Sequence, residues 1–214
     1  MNFLAHALLS GTDPDILFGN FVADSIKGKK IEAYPDKVRL GVDLHRAIDS
    51  YTDTHPVVVE SVARLRPEFR LFSAVIADIY FDHFLARNWT AYSQADLHVF
   101  AAGVYRILLK RYAILPPRSR RILPWMMAQN WLVGYANLRD LQRVFNGMSR
   151  RSAFDSGMEK AVDFLKLNYA EFEQDFARFF PDMILFATDK LNELNLPDAL
   201  AGETMVVVKH PVQG

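Results

Sequence analysis

A chain of 214 residues, half of them hydrophobic and 16 of them phenylalanine, can bury one substantial core, and its 25 basic and 25 acidic residues cancel. Without cysteine it can hold no disulfide, no zinc–thiolate centre and no cysteine nucleophile. Its apolar runs are short and broken by charge, and the opening MNFLAHALLSGTDPD has no basic leader, so neither a membrane span nor a signal peptide is expected and a cytoplasmic location is.

Apolar residues recur at spacings of three and four nearly throughout, which predicts an all-α fold in a single compact domain over residues 1–191. Asp13-Pro14-Asp15 reads as a helix start leading into ILFGNFVADSIKGKK, with Gly28 near its end. Tyr34-Pro35-Asp36 opens the next segment, VRLGVDLHRAIDSYTDTH, which stops before Pro56. A long apolar stretch, FRLFSAVIADIYFDHFLARNW, follows Pro67-Glu68. Ser93 is a candidate cap for ADLHVFAAGVYRILLKRYAIL, closed by Pro116-Pro117, and another helix is expected after Pro124 through WMMAQNWLVGYANL. A last long helix begins near Asp155, with a kink expected at Pro181. Residues 192–214 read as an irregular tail in which Met205–Val208 has the composition of a short strand.

Charge is unevenly placed. From Arg106 to Arg151 there are ten basic residues and one acid, Asp140. Such a window is either a set of solvated helix faces or a docking surface for an anionic partner. No Gly-rich phosphate loop and no nucleic-acid signature accompanies it, so an acidic protein is at least as plausible a partner as nucleic acid.

Carboxylates and imidazoles also recur inside apolar segments. Residues four apart share a helix face, so His45, Asp49 and Asp53 form one stripe, Asp78 and Asp82 another, with His83 beside the second. Asp24 and His6 lie in similarly apolar surroundings. Burying unpaired carboxylates is costly. Local ion pairs are one remedy, with Arg46 placed to neutralise Asp49 and Arg87 to neutralise Asp82. A shared divalent ion is the other, and an oxygen–nitrogen donor set suits Mn²⁺ or Mg²⁺.

MNFLAH, GNFVAD, HRAIDSYTD, DIYFDHFLARNW, NWLVGY, LQRVFNGMSRR and FFPDM, in that order, resemble the acyl carrier protein phosphodiesterases over residues 1 to about 190. That family is distantly similar to the all-α HD-domain phosphohydrolases, although no His-Asp dipeptide occurs in this chain. The resemblance implies Mn²⁺-assisted hydrolysis of the phosphodiester joining 4′-phosphopantetheine to a serine of acyl carrier protein. Without that dipeptide the ligand roles are read from spacing: metal ligands are expected among Asp24, His45, Asp49, Asp78 and Asp82, a proton donor in His83 or His6, and charge stabilisation by Arg46 or Arg87. Arg118, Arg120, Arg121, Arg150 and Arg151 are then expected to dock the acidic carrier. Two other readings are an HD-like phosphohydrolase of small nucleotides and a non-catalytic helical adaptor for an acidic partner.

Overall fold

The computed structural model describes residues 1–194, and among them every regular element is helical. The α-helices are α1 (Phe3–Leu8), α2 (Pro14–Val22), α3 (Asp36–Thr54), α4 (Pro56–Phe69), α5 (Ser73–Arg87) and α6 (Leu97–Lys110). They continue as α7 (Pro117–Ala128), α8 (Trp131–Gly134), α9 (Leu138–Arg151), α10 (Ala161–Leu167) and α11 (Tyr169–Glu193), with short 3₁₀ turns between several of them. Met205–Val208 lies outside the described residues.

α5 sits at the centre because its apolar residues fall on every side of it. From Ile79 to Ala86 every residue is buried, including Asp82 and His83, which find partners inside the fold. α11 packs along it through an aromatic seam in which Phe81 stacks on Phe179 and Phe84 on Phe176, with ring centroids 5.4 and 6.0 Å apart. Around this pair α4 closes one side. A buried carboxylate, Asp175 of α11, takes hydrogen bonds from Ser61 and Arg64 of α4, both at 2.6 Å.

α2 and α3 lie in closer contact than side chains normally allow. A Cβ on Gly19 would stand 2.1 Å from the carbonyl oxygen of Val38, and one on Gly41 would stand 2.2 Å from that of Ile16. Only two glycines at the crossing let the backbones meet. Asn20 and the turn carrying Asp24 are thereby brought against the face of α3 that carries His45 and Asp49.

Prolines mark starts more often than the sequence pattern implied. Pro56 and Pro117 each open a helix as its first residue, where the missing N–H costs nothing. The segment between Pro56 and Phe69 is therefore a helix of its own, and α7 begins before Pro124 and runs through it. α5 starts only at Ser73, after a 3₁₀ turn in which Arg70 has a φ of 49°. Asp96, not Ser93, caps α6, its carboxylate accepting from the N–H groups of His98 and Val99. α9 is a further helix with no counterpart among the expected segments, and α11 continues through Pro181 to Glu193.

Candidate metal and catalytic site

Where α1, α2 and α3 converge, a cavity of about 230 Å³ opens between them. Its lining includes His6, Asn20, Asp24, His45, Asp49, Asp53 and Asp78 together with Met1, Asn2, Phe3 and Phe21. Four helices or turns supply the polar groups. His6 comes from α1, Asn20 from α2, Asp24 from the 3₁₀ turn Ala23–Ser25, and His45 and Asp49 from successive turns of α3.

The two imidazoles stack face to face, centroids 4.1 Å apart. Each ring turns one nitrogen to Asn20: His6 Nδ1 lies 2.8 Å and His45 Nδ1 3.0 Å from Asn20 Oδ1. The other nitrogens point at carboxylates. His6 Nε2 is 3.1 Å from Asp49 Oδ1, while His45 Nε2 is 3.1 Å from Asp49 Oδ2 and 3.3 Å from Asp24 Oδ1. One ligand atom from each of His6, His45 and Asp49 falls within a 4.8 Å circle.

Charge on this cluster is frustrated. Burial lowers the pKa of both rings; in His45 the carboxylates of Asp24 and Asp49 outweigh it and carry the ring up to about 9. In His6 burial prevails, and the ring drops to about 4. Burial pushes Asp49 up, but its hydrogen bonds with His45 and His6 hold its carboxyl well below the ordinary range. Asp24 is lowered as well, chiefly by its hydrogen bond with His45. At neutral pH His6 is thus uncharged, with Nδ1–H committed to Asn20 and a bare Nε2 lone pair facing a carboxylate oxygen. Two acceptors at 3.1 Å need a cation or a proton between them. The donor set, two imidazole nitrogens and two carboxylates, fits a borderline or hard divalent ion.

The remaining expected residues divide. Asp78 lines the cavity, and its Oδ1 accepts from the Met1 ammonium at 2.7 Å. Asp82 does not line it. Its oxygens accept from the backbone N–H groups of Leu4 at 2.8 Å, Asn2 at 3.2 Å and Ala5 at 3.3 Å, so this carboxylate holds the start of α1. Burial lifts its pKa to about 7, against the pull of those three N–H donors. His83 also lies outside the cavity lining, with Nδ1 2.7 Å from the Tyr135 carbonyl and Nε2 2.9 Å from the Tyr169 hydroxyl. Arg87 is exposed beside Tyr169, and Arg46 is exposed and pairs with Asp43 at 3.3 Å. Neither arginine borders the cavity. Asn2, Asn20 and Asp53 are the polar lining residues missing from the expected ligands and catalytic groups. Asn20 had a signal in the sequence, an amide in the apolar run ILFGNFV, where an unpaired side chain would be costly.

Fold and site define an all-α protein whose chemistry gathers in a histidine–carboxylate cavity beside a buried central helix. The sequence model of the family described as "Acyl carrier protein phosphodiesterase" matches residues 1–183, and the chain belongs to that family. The acyl carrier protein phosphodiesterase of Enterobacter sp. (strain 638) is 35% identical over 192 residues, which cover 89% of this chain and 99% of that protein. Those of Escherichia coli O157:H7 and of Shigella boydii serotype 18 are each 34% identical over the same extent. No solved structure matches the chain.

Proposed function

We propose that the protein is a divalent-metal phosphodiesterase that hydrolyses 4′-phosphopantetheine from holo acyl carrier protein, leaving the apo carrier with a free serine hydroxyl. The observation that carries the metal dependence is the pair of Nε2 atoms aimed, with Asp49, at one point in the cavity. His6, His45 and Asp49 would hold the ion, with Asp24 beside them, and Mn²⁺ or Mg²⁺ suits their donor atoms. Bound there, the ion would supply Lewis acidity towards a phosphoryl oxygen and a more acidic water. The chain's own residues do the rest. Asp49 bridges the two rings and keeps both Nε2 atoms turned inward. Asp53, exposed at the cavity edge, is the group assigned to take the proton that the attacking water gives up, and the departing serine oxygen is protonated from solvent. Asp78 and Asp82 fix the start of α1 and so the position of His6.

Cavity size favours this reading over nucleotide hydrolysis. Pockets that enclose a whole small molecule run to roughly 300–1,000 Å³. The cavity here, at about 230 Å³, suits a phosphodiester reaching in from a substrate that stays outside.

The outer part of that substrate would meet a basic surface next to the cavity. Ser119 of α7 hydrogen-bonds Ser25 at 2.9 Å, which ties the α7 start to the turn bearing Asp24. Arg118, Arg120 and Arg121 are exposed on α7, and Arg120 lies over the Tyr112 ring at 5.6 Å. Tyr34 donates to the Ile114 carbonyl at 3.0 Å, bringing the turn with Lys29 and Lys30 to the same side. Tyr112 and Ile114 stay exposed amid these cations, an apolar centre with a charged rim of the kind protein interfaces use. Arg150 and Arg151 end α9 and form a second basic group.

The direct test incubates the protein and Mn²⁺ with holo carrier protein and follows the carrier's mass. Loss of the whole phosphopantetheine group, stopped by a chelator, is the expected result. Nucleotide turnover with an unchanged carrier would move the protein to the second class. No turnover of either, with a melting temperature indifferent to Mn²⁺, would leave a structural adaptor.

A further inference from the structure

Asn20 is fully buried, yet its side chain is satisfied on both ends. Nδ2 donates to the His6 carbonyl at 3.1 Å and to Ser10 Oγ at 2.9 Å, and Ser10 donates in turn to the His6 carbonyl at 2.7 Å. A backbone carbonyl can only accept, so the amide nitrogen must face it and Oδ1 must face the rings. An amide oxygen can only accept as well. Both Nδ1 atoms within reach of it therefore carry hydrogen, which leaves the two Nε2 atoms for a metal, His45 Nε2 once it gives up its proton.

We infer that Asn20 is a positioning residue that sets one tautomer in both histidines at once and so builds the paired Nε2 donors. The inference rests on the metal reading above. It also gives the glycine crossing a purpose, since Gly19 and Gly41 are what let α2 bring this amide within 3.0 Å of a ring on α3. Outer partners of metal-binding histidines hold ring orientation and basicity, and losing one weakens metal binding by about 10–100-fold. Here one amide serves two rings.

Titration calorimetry of the chelator-stripped full chain with Mn²⁺ tests it. Asn20→Leu keeps the volume and removes the acceptor, and should bind Mn²⁺ about 10–100-fold more weakly than wild type. Asn20→Asp keeps an acceptor for both Nδ1–H groups and should lose less. Ser10→Ala removes one hydrogen bond from the same buried cluster but leaves both rings bound to Oδ1, so its affinity should stay within a few-fold of wild type. If Asn20→Leu binds as wild type does, or if Ser10→Ala falls as far, the amide serves packing alone and the inference fails. The ¹⁵N spectrum of the zinc-loaded wild type gives an answer that needs no variant: hydrogen on Nδ1 of both His6 and His45 is expected, and hydrogen on Nε2 of either ring overturns the inference. A wild type that binds neither ion would defeat the metal reading itself, a separate result.

Discussion

On α3, His45 and Asp49 turn their polar atoms into an open cavity and face other groups of the same kind. On α5, the same four-residue spacing carries Asp78 and Asp82 towards the start of the chain, where they meet an ammonium and three backbone N–H groups. One stripe is left with unresolved charge, and the other is satisfied by main chain. The difference lies in what each helix packs against. Asp82 on α5 is enclosed, so its carboxylate had to find donors within the fold. α3 lies at the edge, with Asp49 about two-fifths exposed, and can leave a donor set for a ligand to complete.

Exchanging the two carboxylates is the sharpest way to break this comparison. Asp49→Ala should cost about a thousandfold in carrier hydrolysis, close to 4 kcal/mol of transition-state stabilisation, while the fold melts near the wild-type temperature. Asp82→Ala strips three buried N–H groups of their acceptor and should cost about 2–4 kcal/mol of stability in urea unfolding. Its activity falls too, because His6 rides on α1, but Mn²⁺ at saturating concentration should recover part of it. If Asp82→Ala melts like wild type and is catalytically dead, Asp82 belongs with the metal ligands and the division fails.

Much of this was legible before any coordinates. Helical periodicity gave the fold class, and the spacing of His45 and Asp49, with Asp24 and His6 in apolar company, gave the four groups that meet in the cavity. What spacing could not give was direction. A pair four apart defines a face, but which face meets a cavity depends on how neighbouring helices cross. Here that is set by Gly19 and Gly41, residues with no side chain to betray a contact. Asp82 read as a ligand because its partners are backbone atoms of Asn2, Leu4 and Ala5, which carry no sequence signature. His83 misled for the same reason, since one of its two partners is a carbonyl. α4 and α7 were obscured because a proline ends one helix and starts the next with equal ease.

A third buried carboxylate sharpens the contrast, since Asp175 has side-chain cations where Asp82 has main chain. Burial pushes the Asp175 pKa up, but hydrogen bonds from Arg64, Ser61 and Arg178 more than reverse this and hold it below the ordinary range. The folded protein thus binds this proton less readily than the unfolded chain does. Its contribution to stability is complete above the unfolded carboxylate pKa near about 4 and is lost as pH falls through the lower folded value. Urea unfolding between pH 6 and pH 2.5 should show wild type losing more stability than Asp175→Asn across that window. Parallel losses would mean that the Arg64 pair contributes nothing beyond packing.

The smallest expected effect concerns charges that are neither buried nor directed into the cavity. Arg118, Arg120 and Arg121 lie beside the Asp24 turn, whereas Arg150 and Arg151 close α9, a helix that packs on α8, α10 and the turn Met158–Lys160. Exposed cations of this kind act mainly on encounter and register. Replacing the three α7 arginines by serine should raise KM for holo carrier protein by roughly tenfold and flatten its dependence on salt, with turnover of a small phosphodiester retained. Replacing the α9 pair should do less, since nothing ties that helix end to the cavity turn. Equal losses on carrier and small substrate would instead place the α7 arginines in the fold. Arg120 is the residue to suspect in that case, because its guanidinium also holds the carbonyls of Ala113 and Leu115 at 2.8 and 3.1 Å.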